Sequence, residues 1–270
     1  MTALSFKQNG LATSKNQPSS LGCTTAAVLA GGVGSRLRPV IHDRSKVMAP
    51  VHGVPFLAYL LEQISQYGIQ SVVLCTGVFA DSIVSFFGSH YQGLTIHYSY
   101  ESEPRGTAGA LREAMELFDS YPVLVMNGDS FCDVNLERFV QWHIEKRGVV
   151  SLALARVEQG DRFGAVQFDA DSRLTEFSEK GRKAGPIWAN AGIYLMERSF
   201  IEAIPRGEPS SLEREIFPQM LSGGIHGYPS EGRFLDIGTP ASYRVAEEFF
   251  ADPHSNRKIR SLGGTPVGSL

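Results

Sequence analysis

Directly after the apolar run Thr24 to Ala30, the chain reads Gly31-Gly32-Val33-Gly34-Ser35-Arg36. Glycines let backbone N–H groups approach a polyphosphate without interference from a Cβ, and Arg36 adds a fixed positive fork. A dinucleotide fingerprint would need a further glycine where Leu37 stands, and a P-loop would need Gly-Lys-Ser/Thr, so both familiar alternatives fail on the letters. A plain glycine turn is the remaining alternative. Lys46, in Ser45-Lys46-Val47-Met48-Ala49-Pro50, follows just before another expected element, so it and Arg36 can converge on one anion. Its competing reading is a solvated surface lysine.

Two carboxylates complete the set. Asp129 ends Val123-Leu124-Val125-Met126-Asn127-Gly128-Asp129, at the carboxyl end of an expected strand, where open α/β sheets bind ligands. A hard oxygen ligand there suits Mg²⁺ carried with a nucleotide phosphate, while an Asx-type turn is the bland reading. Asp236, in Phe234-Leu235-Asp236-Ile237-Gly238-Thr239-Pro240, is flanked by apolar residues that would half bury it, so a metal or cation is expected beside it. It could instead cap the last helix, but Thr239 is better placed for that.

The elements that must position these residues follow from hydrophobic period. Thr24 to Ala30 reads as a buried strand. Phe56, Leu57, Leu60, Leu61, Ile64 and Tyr67 recur at helical spacing behind Pro55, with Gly68 closing the segment. Further strands are expected at Ser71 to Thr76, Leu94 to Tyr100 and Pro122 to Asn127, with helices near Phe79 to Phe87 and over Thr107 to Phe118. This alternation predicts a mostly parallel sheet covered on both faces. Beyond about residue 149 the texture changes to strands at Val149 to Arg156, Ala165 to Phe168, Leu174 to Phe177 and Ile187 to Met196, where hairpins should be commoner. A last helix opens with Thr239 as N-cap and Pro240 at N1 and runs to about Phe250. Residues 1–23 and 251–270 read as loosely held tails around a single 24–250 domain.

Composition limits the classes of function. The 25 basic and 28 acidic side chains give a net charge of −3, which offers no overall pull toward nucleic acid or anionic membrane, so phosphate binding must be local. Cys23, Cys75 and Cys132 lie far apart without Cys-x-x-Cys spacing, which points to buried, inert thiols rather than zinc or disulfides. No signal-peptide pattern opens the chain and no apolar run reaches the roughly 18 to 20 residues that span a bilayer, so a soluble, cytoplasmic protein is expected.

The glycine loop ending in Arg36-Leu37, the Lys46 segment, Glu103-Pro104-Arg105-Gly106-Thr107-Ala108-Gly109, Asn127-Gly128-Asp129 and Phe234 to Pro240 together resemble the sugar-1-phosphate nucleotidylyltransferases. The wording around Asn127-Gly128-Asp129-Ser130-Phe131, Ser211-Leu212-Glu213 and Asp236 is most similar to the D-glycero-α-D-manno-heptose 1-phosphate guanylyltransferases, with mannose-1-phosphate guanylyltransferases as the nearest competitors. The resemblance covers about Thr24 to Phe250. It implies an α/β fold of Rossmann-like, GT-A-like type, a mostly parallel mixed sheet flanked by helices, with a smaller β-rich sugar-binding part. It implies transfer of a nucleoside monophosphate from an NTP, expected to be GTP, to a sugar 1-phosphate, with Mg²⁺ as cofactor and no nucleic acid or membrane partner; a homo-oligomer is compatible with it.

Residue roles are carried over on the same basis. Gly31, Gly32, Gly34, Ser35 and Arg36 would hold the nucleotide and its phosphates, and Lys46 the α-phosphate region or the pyrophosphate. Glu103, Gly106 and Thr107 would border the base and ribose, with Glu103 leaning toward guanine. Asp129 and Asp236 would coordinate Mg²⁺. Gly164, Glu179, Lys180, Asn190 and Gly192 would form the sugar-phosphate side. Ser35 stands where the family usually has Thr, Ser45 and Val47 stand where it has Pro, and Arg105 stands where it has an apolar residue. Trp188 reads as a half-buried strand residue or as a wall of the sugar pocket. A regulatory subunit of the same fold should lack one or more charged anchors, yet Arg36, Lys46, Asp129, Lys180 and Asp236 are all present.

Overall fold

The computed structural model describes residues 21, 24–32, 34, 36–41, 44–158, 160, 163–178, 185–221 and 224–251. Its first half alternates strands and helices as the hydrophobic period requires. The elements there are β1 (Thr25–Leu29), β2 (Pro50–Val51), β3 (Val54–Pro55), α1 (Phe56–Gln66), β4 (Ser71–Thr76), α2 (Ala80–Phe87), β5 (His90–Tyr91), β6 (Leu94–Tyr100), α3 (Gly106–Ala114), β7 (Val123–Asn127) and β8 (Ser130–Cys132). The helix expected over Thr107 to Phe118 stops at Ala114 and finishes as a 3₁₀ turn over Met115–Leu117. The second half holds α4 (Leu136–Lys146), β9 (Val150–Val157), β10 (Ala165–Phe168), β11 (Leu174–Ser178), β12 (Ile187–Met196), α5 (Arg198–Ala203), α6 (Phe217–Gln219), β13 (Ile225–Ser230), β14 (Phe234–Asp236), α7 (Pro240–Arg244) and α8 (Ala246–Ala251). A π-helical turn over Leu212–Ile216 leads into α6.

One large sheet runs in the order β11-β10-β12-β7-β1-β4-β6-β5, with β9 and β13 joined through β12. Strands β7, β1, β4 and β6 are parallel, so their carboxyl ends share one edge of the sheet. The antiparallel pairings expected after residue 149 are present as β10 with β11 and β12 with β9. They do not form a separate unit: β12 pairs with β7, so the β-rich part extends the same sheet. Neighbouring strand residues face opposite cores. Ala26, Val28, Val72 and Leu74 pack under α1, α4 and α8, whereas Ala27, Val73 and Cys75 pack under α3, α5 and α6. Burial holds the Cys132 thiol up to about 12 and raises that of Cys75 further, as expected of inert core cysteines. Cys23 lies outside the described residues. Leu21, within the expected N-terminal tail, is buried in the core.

The last helix starts as its sequence dictates. Thr239 caps the Ser242 N–H and Ser242 caps back, a full capping box with Pro240 at N1. It breaks at Val245 into α7 and α8, and Phe250 then stacks on Tyr59 with ring centroids 4.0 Å apart. Helix α4 is absent from the sequence expectations, although its Asn135 cap accepts from the Arg138 N–H at 2.9 Å.

His143 fastens α4 to the sheet. Its Nδ1 lies 2.7 Å from Ser151 Oγ and its Nε2 3.3 Å from Glu197 Oε1. The order resembles a nucleophilic triad, but Ser151 is 0% and His143 1% exposed, so no substrate can reach the hydroxyl and the group acts as a clamp. Burial lowers the His143 pKa below 6.5, partly offset by Glu197. The unfolded chain therefore takes up this proton at a higher pH than the folded one, and stability falls as pH drops through that window. Thermal unfolding between pH 7 and 5 is expected to show a steeper loss of midpoint in the wild type than in His143→Gln. Part of the slope should survive through His226, whose pKa burial also lowers; equal slopes would refute the assignment.

Candidate active site

A cavity of about 650 Å³ opens at the shared carboxyl edge of the parallel strands. Arg36, Lys46, Asp129 and Asp236 all line it, as do Gly31, Gly32, Gly106, Thr107, Gly164, Asn190 and Gly192. Residues separated by some two hundred positions in the chain thus face one space.

Each arrives by a traceable route. Lys46 opens a 3₁₀ turn whose next residues, Val47 and Met48, are buried in the core and fix its direction. Its ammonium forms an ion pair and hydrogen bond with the Asp129 carboxylate; the side chains are 13% and 28% exposed, so the pair is shielded yet reachable. Gly128 makes this approach feasible. A Cβ there would lie 2.6 Å from the Leu29 carbonyl oxygen and 2.7 Å from Val47 Cγ1, so any larger residue would push the Asp129 turn off both β1 and the lysine segment. Strand β14 pairs with β8 with Asp236 opposite Ser130, and the Ile237 N–H donates to the Asp129 carbonyl at 2.9 Å. The two aspartates therefore sit on adjoining turns. The Asp236 carboxylate also accepts from the Gly238 N–H at 2.7 Å.

On the opposite wall, β12 carries a register shift between Asn190 and Tyr194. Gly192 lies within it at φ +74°, and a Cβ there would meet Ser130 Oγ at 2.5 Å. This bulge turns Asn190 and Gly192 toward the cavity.

The remaining expected residues divide. Gly34 does not line the cavity; it packs on Lys46 Cβ, 3.0 Å from where its own Cβ would stand, and so supports the lysine rather than facing it. Glu103 is exposed and off the lining. Glu101 takes the inward position: its Oε1 comes within 2.9 Å of a Cβ built on Gly31, and its Oε2 accepts from the Arg105 N–H at 2.9 Å. Burial pushes the Glu101 carboxyl above the usual carboxylate range, with Glu113 adding to the effect. Arg105 pairs with Glu113 at 2.9 Å and with the Gly207 carbonyl at 3.0 Å. Ser35, Glu179 and Lys180 lie outside the described residues. Trp188 is the strand residue of the two readings, set near Phe168 and Arg156 rather than in the cavity.

Glu213, Asn127 and Ser211 are working parts that the sequence marks only as pieces of motifs, and Tyr194 only as a position in the expected strand Ile187 to Met196. Glu213 accepts from Thr107, Ser211, Tyr194 and Asn127, and full burial beside Glu213 keeps the Tyr194 phenol well above its usual pKa, hence protonated. Three phenylalanines, Phe163, Phe177 and Phe234, join Leu29, Val47 and Ala110 in the apolar part of the lining. Phe163 and Phe234 meet edge to face at 5.4 Å.

A strand-edge cavity combining a glycine loop, two cations and paired carboxylates is the arrangement expected of a nucleotidyl-transferring site, and the comparisons agree. The profile of the nucleotidyl transferase family matches residues 25–252, and the chain belongs to that family. It is 36% identical over 225 residues to a D-glycero-alpha-D-manno-heptose 1-phosphate guanylyltransferase of Aneurinibacillus thermoaerophilus, covering 83% of this chain and 96% of that protein. It is also 36% identical over 222 residues to a mannose-1-phosphate guanylyltransferase of Mycobacterium tuberculosis, covering 81% of this chain and 62% of that protein. The crystal structure of HddC from Yersinia pseudotuberculosis complexed with GMP-PN superposes with a TM-score of 0.76 at 29% identity, over 84% of this chain and 99% of that one. The sheet flanked by helices is the fold expected from the sequence. Among the described residues, no helix is long and apolar enough to cross a membrane.

Gly192→Ala forces a side chain into left-handed backbone and against Ser130, and is expected to destabilise the protein by about 1–3 kcal/mol. Urea unfolding measures it, and a change within about 0.5 kcal/mol of the wild type would contradict the packing described.

Proposed function

We propose that the protein transfers GMP from GTP to D-glycero-α-D-manno-heptose 1-phosphate, releasing pyrophosphate, and that residues 24–250 act as one catalytic unit. The observation that carries this reading is the convergence of Arg36, Lys46, Asp129 and Asp236 on one cavity. Guanine and heptose are supported by the similarity to the Aneurinibacillus enzyme over nearly its whole length and by the likeness to a structure holding GMP-PN. Mannose 1-phosphate is the second reading, favoured by the equal identity to the mycobacterial enzyme.

The attacking group, a sugar phosphate, already carries about −1.5 to −2 charge near pH 7, so no side chain has to remove a proton first. The difficulty is bringing two polyanions together with the attacking oxygen in line with the α-phosphorus and the departing pyrophosphate. Gly31, Gly32 and Ser35 would cradle the nucleotide phosphates, with Gly34 supporting the Lys46 stem and Arg36 and Lys46 placing positive charge beside them. Gly106 and Thr107 would border the ribose and base. Glu101, set against the glycine loop, would accept from guanine N–H groups in place of Glu103. Gly164, Glu179, Asn190 and Gly192 would surround the sugar and Lys180 would meet its phosphate.

The donor set at Asp129 and Asp236 fits Mg²⁺. Two hard carboxylates, with no third His, Cys, Asp or Glu clustered beside them among the described residues, would hold the ion together with phosphate oxygens and water, the donor chemistry Mg²⁺ prefers. When bound, Mg²⁺ supplies neutralisation of phosphate charge. The Lys46 ammonium, paired with Asp129, keeps that carboxylate compensated until then.

Asp129→Asn is expected to lower kcat/KM by at least about 100-fold, on the order of 3 kcal/mol of lost transition-state stabilisation. Wild-type turnover of that variant at saturating Mg²⁺ would remove the assigned role. Pyrophosphate release measured for each of five NTPs against heptose, mannose, glucose and N-acetylglucosamine 1-phosphates is expected to peak at GTP with heptose 1-phosphate. A peak at mannose 1-phosphate would select the second reading, and no release from any pair would reject the reaction.

A further inference from the structure

Glu213 lines the cavity, yet its carboxylate is already occupied. Its Oε1 accepts from Asn127 Nδ2 at 3.3 Å and from the Tyr194 hydroxyl at 3.2 Å; its Oε2 accepts from Thr107 Oγ1 at 2.8 Å and from Ser211 Oγ at 3.1 Å. Two donors on each oxygen use the four acceptor sites that an ionised carboxylate offers. A substrate hydroxyl entering the cavity would have to displace one of them, so the geometry argues against Glu213 as a direct ligand.

What the carboxylate imposes is direction. It can only accept, so Tyr194 must donate its single O–H proton to Glu213 and turn a lone pair outward. Asn190 Nδ2 donates to that lone pair at 2.8 Å, and Asn190 Oδ1 accepts from the Gly192 N–H at 3.0 Å. Donor and acceptor ends of the Asn190 amide are therefore assigned twice over, directly by the Gly192 N–H and, two hydrogen bonds away, by the acceptor oxygen of Glu213. Thr107 is held by the same carboxylate while accepting from the Leu212 N–H at 2.8 Å, which ties the first turn of α3 into the network.

We propose that Glu213 is a positioning residue for the sugar substrate: by accepting from Tyr194 it turns the phenol lone pair onto Asn190 Nδ2, and together with the Gly192 N–H on Asn190 Oδ1 this sets the hydrogen-bonding pattern offered to the sugar hydroxyls. This inference rests on the reading of the cavity as a sugar 1-phosphate site.

The test uses the full chain with Glu213→Leu, Glu213→Gln, Tyr194→Phe and the Leu/Phe double variant, measuring KM for GTP and for the sugar 1-phosphate, kcat and the thermal midpoint. Glu213→Leu and Tyr194→Phe are expected to raise the sugar 1-phosphate KM by about tenfold or more, the size of one lost or misdirected hydrogen bond, and Tyr194→Phe, which leaves the Thr107 bond to Glu213 in place, to keep the GTP KM within about threefold. Glu213→Gln is expected to recover the sugar KM to within about threefold, because its carbonyl oxygen can keep accepting from Tyr194 and Asn127 while its amide faces the Thr107 and Ser211 hydroxyls, which can reverse. The double variant should be no worse than the weaker single, since both break one chain of bonds. An unchanged sugar KM, multiplicative effects in the double variant, or both KM values of Tyr194→Phe rising together with a lowered midpoint would overturn the proposal. If Glu213→Leu fails to fold, Tyr194→Phe, which removes one buried oxygen, decides alone. A wild type that releases no pyrophosphate with any sugar 1-phosphate would defeat the underlying reading of the site; turnover without these shifts would defeat only the positioning role.

Discussion

The contact between Lys46 and Asp129 is the constraint around which the site is built. A carboxylate at a half-closed strand edge needs a compensating charge, and a lysine tethered to a core-packed turn supplies one that cannot drift away. Every neighbouring feature serves that approach. Gly128 removes the side chain that would hold the two segments apart, Gly34 yields space for the lysine stem, and the backbone bond from Ile237 brings the second aspartate alongside. Opposite charges are thus assembled before any polyanion arrives, and an incoming phosphate meets cations already oriented.

The charged half of the site is legible in the sequence because each of its members announces itself locally. A glycine loop after a strand, a carboxylate at a strand end and an aspartate in an apolar setting are patterns each contained in a few consecutive residues. The sheet is legible for the same reason, since the parallel strands β4 and β6 and the antiparallel strands β10 and β12 begin and end where their hydrophobic runs do. Glu101 and Glu103 show the limit. They stand two residues apart with the same chemistry, and only the backbone path, pinned by the Arg105 N–H, decides which one turns inward.

The hydrogen-bonded half was harder to read for a physical reason. Thr107, Asn127, Tyr194 and Glu213 come from α3, β7, β12 and the π-helical turn, and nothing in their local sequence ties them together. Polar side chains of this kind acquire meaning from their partners, and those partners exist only once the sheet has formed. One short element escaped for a related reason. β14 has three residues, too few to generate a hydrophobic period, whereas α4, with Leu136, Phe139 and Val140 at helical spacing behind its Asn135 cap, carries a period as readable as that of α1.

Strand β12 pairs with β7, β9 and β10 and therefore belongs to both walls of the cavity. Enzymes whose two walls sit on separate lobes can open like jaws about a hinge. Here a continuous ladder of backbone hydrogen bonds joins the walls, and rotating one against the other would require breaking the sheet. Widening or narrowing on substrate entry is therefore expected in side chains and the connecting segments at the rim, with the walls that carry Asp129 and Asn190 tied to each other through the sheet.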